Sequence, residues 1–207
     1  MPPKAKYPRE EIIETALNIV AEKGKSALNA RDLGAALGTS TRPVFTAFKN
    51  MSELIEEVKK AAMKRFESYS RNEPGVPAFK SVGMQMISFA TNEPKLFQVL
   101  DMSERTQTGD FDDLFSELGD TAGYCIECIM RDYSLNQEEA NFLFRSLWIY
   151  TFGIGVLIAS KVCRYEEEVV SDMLTRQFMS VMGLVKSGRA LSPLSEVLPA
   201  PPAPPKK

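Results

Sequence analysis

Apolar residues recur every three or four positions along almost the whole chain, and this spacing constrains the fold more than any other feature. It is the period of an amphipathic α-helix, whereas the two-residue alternation of a half-buried strand is weak. Glycine is sparse inside the periodic segments and falls mainly where they end. The sequence therefore predicts an all-α protein.

Caps and helix breakers divide this pattern into about nine helices. The predicted ranges are 8–23, 29–37, 40–47, 50–70, 78–92, 94–105, 111–133, 137–161 and 165–187. We expect three regions: a three-helix helix-turn-helix domain at 1–66, a larger helical bundle at 67–188, and a mobile tail at 189–207. The tail holds six of the 13 prolines, which lack the amide hydrogen that a helix needs.

Charge is distributed unevenly between these regions. Residues 1–66 carry 12 Lys and Arg against 8 Asp and Glu, whereas residues 67–207 carry 13 against 19, for a formal total of −2. A polyanion is therefore expected to bind at the basic N-terminal end, since the acidic remainder would repel it.

The residue types present exclude several classes of site. The chain has no histidine, which removes the usual base of hydrolases and the commonest metal ligand. Cys125 and Cys128 have CxxC spacing, but only Cys163 is available to extend the set, so we predict two small buried hydrophobes rather than a zinc or redox site. No metal, cofactor or catalytic residue is predicted. The N-terminus has no apolar signal region, and the longest nearly apolar run, 146–160, is too short for a membrane span, so we expect a cytoplasmic protein.

Two short predicted helices, 29–37 and 40–47, are separated by a turn that contains Gly38. This is the arrangement of a helix-turn-helix, in which the first helix braces the DNA backbone and the second enters the major groove. Thr41, Arg42 and Thr46 would face outward, where hydroxyls and a guanidinium can reach base edges or phosphates.

The charge around the second helix supports this interpretation. No carboxylate lies between Asp32 and Glu53, so this surface carries only positive charge. Lys4, Lys6 and Arg9 could form an arm that follows the DNA backbone, or a disordered tail. An ordinary solvated helical hairpin is the alternative to the whole motif.

The register of residues 9–58 resembles the helix-turn-helix of the TetR/AcrR family of bacterial regulators. The residues that carry the resemblance are Arg9, Ile12, Ala16, Gly24, Leu33, Gly38, Ser40, Phe45, Phe48, Leu54 and Val58. Where the family usually has tyrosine and lysine, this chain has Phe45 and Met51, so two phosphate contacts of the family pattern are missing. Lys49 and the Asn50-capped start of the fourth helix can replace them. The predicted DNA-binding residues are Asn29, Arg31, Ser40, Thr41, Arg42, Phe45, Thr46, Lys49 and Asn50.

The resemblance implies a C-terminal domain that binds a small molecule and dimerises through its last two helices. The run 147–158 is apolar on every face, so its helix must be covered all round. The candidate ligand-binding residues are Phe89, Phe97, Met102, Phe115, Arg145, Trp148 and Phe152, each with ordinary core packing as its alternative. For Arg145 that alternative is a surface position at a helix end. The candidate dimer residues are Val156, Phe178 and Met182.

Together these features predict a homodimeric transcriptional repressor that a small molecule releases from a pseudo-palindromic site on double-stranded DNA. Two other classes stay open. One is a helical enzyme, which would have to use carboxylates or lysines. The other is an adaptor that binds a partner through Pro199, Pro202 and Pro205.

Overall fold

The computed structural model describes residues 7–69, 75–101 and 120–192, and within these ranges it contains helices and no β-strand. We number the helices in chain order. They are α1 (Arg9–Lys23), α2 (Ala30–Ala36), α3 (Arg42–Ala47), α4 (Met51–Glu67), α5 (Ala78–Asn92), α6 (Pro94–Asp101), α7 (Asp120–Tyr133), α8 (Gln137–Ala159) and α9 (Glu167–Lys186). The all-α prediction is confirmed, and each predicted segment contains a helix. The predicted parts at 102–105 and 111–119, and the tail beyond residue 192, lie outside the described residues.

Helices α1 to α4 pack around one apolar core. On α1, the buried side chains are four residues apart, which places them on one face of the helix. Gly24, with φ +88°, ends α1 in a backbone conformation that other residues rarely adopt. The core side chains, none more than 2% exposed, are Ile12, Ala16, Val20, Leu33, Val44, Phe48, Leu54 and Val58.

Helices α5 and α6 and the last turns of α8 belong to the same compact unit, which lies within residues 1–108 and 152–165. Phe97 is fully buried and stacks on Phe152, with their ring centroids 6.1 Å apart. A Cβ atom on Gly155 would lie 2.8 Å from the Phe97 ring, so glycine permits this close packing. Gln98 donates a hydrogen bond of 3.0 Å to the carbonyl of Ala159.

The second compact unit lies within residues 109–151 and 166–207 and contains α7, most of α8 and α9. Tyr133 and Phe178 pack with ring centroids 5.1 Å apart, and Lys186 Nζ donates to the Tyr133 carbonyl at 3.0 Å. Burial, and then the neighbouring Cys128, raise the pKa of the Cys125 thiol to about 12. A thiol that stays protonated is unreactive, and the Cys128 side chain is 3% exposed, so both observations favour the prediction that the two cysteines are packing residues.

These units differ from the regions at 1–66 and 67–188. The difference arises because α5, α6 and the end of α8 pack with the N-terminal helices. A compact unit need not coincide with a functional domain. The predicted division into a DNA-binding region at 1–66 and a helical bundle at 67–188 therefore stays a prediction.

The apolar run 146–160, expected to be too short for a membrane span, lies, except for its last residue, within the longer helix α8. Its 23 residues are long and apolar enough to cross a membrane by length and composition, and 44% of its most apolar 18-residue window is buried inside the protein. The buried core helix of a soluble protein has the same features.

Candidate DNA-binding surface

The N-terminus of α2 is fixed by Asn29. Its Oδ1 accepts hydrogen bonds from the amides of Arg31 and Asp32 at 3.1 and 2.9 Å, and its Nδ2 donates to Asp32 Oδ2 at 2.7 Å. These bonds satisfy amides that a helix start leaves unpaired, so the expected cap is confirmed. Asn29 is therefore occupied in holding α2, while the Arg31 side chain beside it is exposed.

The turn between α2 and α3 depends on two glycines. Gly38 has φ +67°, a left-handed conformation that glycine adopts without strain. Gly34 is buried against the turn, where a Cβ atom would lie 2.9 Å from the Ser40 carbonyl oxygen. The amide of Thr39 also donates to the Gly34 carbonyl at 2.9 Å. Gly34 thus lets the two helices approach closely.

The sequence places the N-cap of α3 at Ser40, and the structure places it one residue later. Thr41 takes the N-cap position without a side-chain cap, and the amide of Arg42 donates to Ser40 Oγ at 3.4 Å. Pro43 occupies the second helical position, where a missing amide hydrogen costs no helical bond.

The two faces of α3 differ sharply. Val44 and the following Phe48 are 1% and 2% exposed and hold the helix on the core. Arg42, Phe45 and Thr46 are exposed on the other side. The Thr46 hydroxyl donates to the Arg42 carbonyl at 2.9 Å, which leaves its oxygen able to accept a further bond. The structure therefore presents these three predicted residues together.

A groove of about 470 Å³ runs along one flank of α3. Its described lining residues include two arginines and several residues with hydroxyl groups, and none of them is acidic. They are Tyr7, Arg9, Thr39, Ser40, Arg42, Pro43, Thr46 and Ala47. This lining suits an anion, because hydroxyls and guanidinium groups donate hydrogen bonds to phosphate oxygens. Tyr7 was not predicted from the sequence, since no periodicity marks a residue ahead of α1.

Arg9 braces the far end of α3. It is the first residue of α1, so it belongs to neither an extended arm nor a tail. Its guanidinium donates to the Ala47 carbonyl at 2.5 Å and to Glu53 Oε1 at 2.9 Å, and lies 4.1 Å from the centre of the Phe48 ring. Lys4 and Lys6 lie outside the described residues.

Glu53 completes this brace from α4. Its Oε2 accepts a hydrogen bond of 2.7 Å from the Lys49 amide, and its own amide donates to Asn50 Oδ1 at 2.9 Å. The Lys49 hydrogen bond, and then the one from Arg9, hold the pKa of Glu53 below its usual value. We name Arg9, Ala47, Phe48, Lys49 and Glu53 the α3 brace. The spacing of Asn50 and Glu53 is typical of a helix start, but no local pattern links Glu53 to Arg9, which lies 44 residues away in sequence.

Comparison with known proteins agrees with this geometry. Residues 12–58 match the family model described as bacterial regulatory proteins, tetR family, and these residues run from α1 through the helix-turn-helix into α4. This segment of the chain is therefore of the TetR type. Its helix-turn-helix is a DNA-binding motif, and the protein is in the class of transcriptional regulators.

Solved structures resemble the fold over most of the chain. One is a TetR-like transcriptional regulator from Rhodococcus sp. RHA1, with a TM-score of 0.63 and 13% identity, covering 84% of this chain and 96% of that one. Another is a putative TetR-family transcriptional regulator from Vibrio parahaemolyticus, with a TM-score of 0.55 and 14% identity, covering 83% and 97%. No curated protein matches the sequence significantly.

The predicted ligand residues fall into three groups. Phe89 and Phe97 are buried core residues of the first unit, where Phe97 meets Phe152. Trp148 is 8% exposed and Arg145 is half-buried, both on α8 in the second unit. Arg145 lies in the interior of α8, so its placement at a helix end was wrong. Met102 and Phe115 lie outside the described residues.

The predicted dimer residues are less exposed than some of their neighbours. Val156, Phe178 and Met182 are half-buried. The sequence analysis missed the apolar side chains that α8 and α9 expose most: Ile149 at 48%, Leu157 at 36%, Val169 at 48% and Met179 at 66%. Ile149 and Leu157 are eight residues apart and so lie on one face of α8, a spacing that could have identified them.

Proposed function

We propose that this TetR-family protein is a homodimeric repressor that binds a pseudo-palindromic DNA site through α3 and is released by a small molecule. The observation that carries the proposal is the exposed face of α3. Arg42, Phe45 and Thr46 stand out from a helix that two buried side chains hold in place. The nearby Glu53 carboxylate is already bonded to Arg9 and Lys49 and adds little repulsion.

In this proposal α3 enters the major groove, and its side chains contact either bases or phosphates. Arg42 can bond a guanine through two donors, or a phosphate, while Thr46 accepts from a base. Phosphate contacts position the protein on the DNA. They come from Ser40 and Thr41 at the start of α3, from Arg31 and Lys49, and from the N-terminus of α4, which Asn50 caps. Asn29 contributes by fixing α2.

Dimerisation would use the exposed apolar residues of α8 and α9. Side chains as exposed as Ile149 and Met179 gain burial when a second copy covers them. The half-buried Phe178 and Met182, in the same unit, would form the rest of that surface, and Val156 stays a separate candidate. Two α3 helices about 34 to 36 Å apart would fit successive turns of DNA.

The small molecule would bind among the apolar side chains of the C-terminal region, where Trp148 and the half-buried Arg145 are the main candidates. An effector shifts the dimer away from the DNA-binding spacing only by binding the two states with different affinity. A regulator of this kind would act in the cytoplasm, without a membrane.

Binding of the full-length protein to a fluorescent fragment of its upstream DNA, followed across a range of salt, tests the DNA-binding part. We expect two subunits per duplex, and an affinity loss of about 5- to 150-fold for Arg42→Ala. Arg131→Ala is the matched control, because it removes the same charge from the exposed surface of α7. An equal loss in both variants, or none in either, would contradict the assignment of α3.

Sedimentation of Met179→Glu tests the dimer. Met179 is 66% exposed, so a carboxylate there leaves the subunit folded but is costly inside an interface. We expect monomers at concentrations where the wild type is dimeric. Val162→Glu, at a 68% exposed residue after α8, is the control and should stay dimeric. A dimeric Met179→Glu protein would remove this residue from the interface.

A further inference from the structure

Phe45 is the one side chain on the exposed face of α3 that cannot form a hydrogen bond, and it is 51% exposed. Single exposed apolar residues are common on protein surfaces, so exposure alone means little. The position of Phe45 on α3 is what suggests a role in DNA binding. Phe45 lies three residues after Arg42 and next to Thr46, on the face proposed to meet DNA.

The surroundings hold Phe45 in a defined place. Its amide donates to the Thr41 carbonyl at 3.3 Å, and its neighbour Val44 is buried in the core. The α3 brace fixes the end of the helix through the bond from Arg9 to the Ala47 carbonyl. Phe45 does not line the groove whose hydroxyls and guanidinium suit phosphates. It therefore lies beside the polar flank of α3 and offers a different chemistry.

A phenyl ring can gain free energy in the major groove only through apolar contact. The apolar group that a base edge presents there is the 5-methyl group of thymine. We propose that Phe45 recognises a pyrimidine 5-methyl group in each half-site, within a few base pairs of the position read by Arg42. This inference rests on the proposed function and adds a specificity-determining residue to it.

Replacing single thymines of the selected DNA site by deoxyuridine tests the inference, because this change removes the methyl group and nothing else. We expect one position per half-site where the wild-type affinity falls by about fourfold, the value of one buried methyl-sized group. The same replacement should have no effect on the Phe45→Ala variant. Lys49→Ala, the control for a general loss of affinity, should weaken binding on both DNAs and keep the fourfold ratio.

Each outcome separates the two ideas. Specific binding without any uracil-sensitive thymine would overturn the role of Phe45 and leave the proposed function standing. The same result is expected if the Phe45 ring contacts deoxyribose instead of a base. Uracil sensitivity that persists in Phe45→Ala would assign the methyl contact to another residue. Absence of sequence-specific binding by the wild type would overturn both.

Discussion

The two ends of α4 are built from the same kinds of contact but hold different parts of the molecule. At the N-terminal end, Glu53 pairs with Arg9 at 2.9 Å beside the Phe48 ring. At the C-terminal end, Arg65 pairs with Glu93 at 2.5 Å. Each end therefore combines an arginine–glutamate pair with buried aromatic packing.

The aromatic packing at the C-terminal end centres on Phe89 of α5. Phe66 and Tyr69 approach its ring edge-on at 5.4 and 5.5 Å. The Gln85 side chain donates to the Phe66 carbonyl at 2.8 Å. Burial, and then the Glu93 carboxylate, raise the pKa of Tyr69.

The difference lies in what each end fixes. The N-terminal end holds α3, the helix proposed to read DNA, whereas the C-terminal end holds α5 and the start of α6. One continuous helix, α4, joins the two ends. Changes at the first end should lower DNA affinity directly, and changes at the second should act mainly on stability.

Removing the aromatic side chain at each end should give the largest effects. Phe48→Ala and Phe89→Ala each delete a side chain that is at most 2% exposed, so each should lower the free energy of unfolding by about 3–5 kcal/mol. Urea unfolding measures that loss. Among molecules that remain folded, Phe48→Ala alone should also bind DNA poorly, because α3 loses its anchor. Equal DNA affinity of the two folded variants would contradict the claim that only the N-terminal end of α4 holds α3.

Gly34→Ala should destabilise the turn that leads to α3. The added Cβ would lie 2.9 Å from a backbone oxygen, so the turn must shift, at a cost of about 1–3 kcal/mol that also weakens DNA binding. The matched control is Gly123→Ala on α7, where a Cβ meets nothing within 4 Å. There we expect a gain of about 0.5–1 kcal/mol from helix propensity, measured by thermal unfolding. A Gly34→Ala protein that is more stable than the wild type would show that the α2–α3 turn can shift to accommodate the added Cβ atom without cost.

Glu93→Gln should affect the C-terminal end of α4. The Glu93 side chain is 12% exposed, so its loss of charge leaves the Arg65 guanidinium poorly paired. Urea unfolding should show a loss of about 1–3 kcal/mol. DNA affinity of the folded protein should change less than in Glu53→Gln, since α3 keeps its own brace. A larger loss of affinity in Glu93→Gln would mean that the C-terminal end controls α3.

Glu53→Gln should have the smallest effect on stability and a distinctive dependence on pH. The folded protein lowers the pKa of Glu53 from about 4.5, so the carboxylate stabilises the fold above that pH and loses its effect as pH falls through the lowered value. Wild type should therefore exceed Glu53→Gln in melting temperature at neutral pH, and the gap should close below about pH 4.5. A gap that is constant down to pH 3 would exclude ionisation as its cause.

Local features of the fold and the site were predictable from the sequence, and long-range ones were not. Asn29, Gly38 and the Asn50–Glu53 spacing marked helix ends correctly, because caps and left-handed glycines act within a few residues. The start of α3 was missed by one residue, since both Ser40 and Thr41 can cap a helix.

Contacts between distant residues left no such mark. Arg9 and Glu53 are far apart in sequence, and so are Phe97 and Phe152, yet each pair meets in the fold. Exposure was equally hard to predict, because the same apolar residue types serve the core and the surfaces of α8 and α9.

Selection of binding sites from random duplex DNA by the full-length protein tests the central claim most directly. Wild type and Arg131→Ala should both enrich one two-fold-symmetric motif, with half-site centres one or more helical turns apart. Arg42→Ala should enrich no motif, or one relaxed at the position that Arg42 reads. Enrichment of the same motif by all three proteins, or of none by the wild type, would contradict the claim that α3 reads DNA.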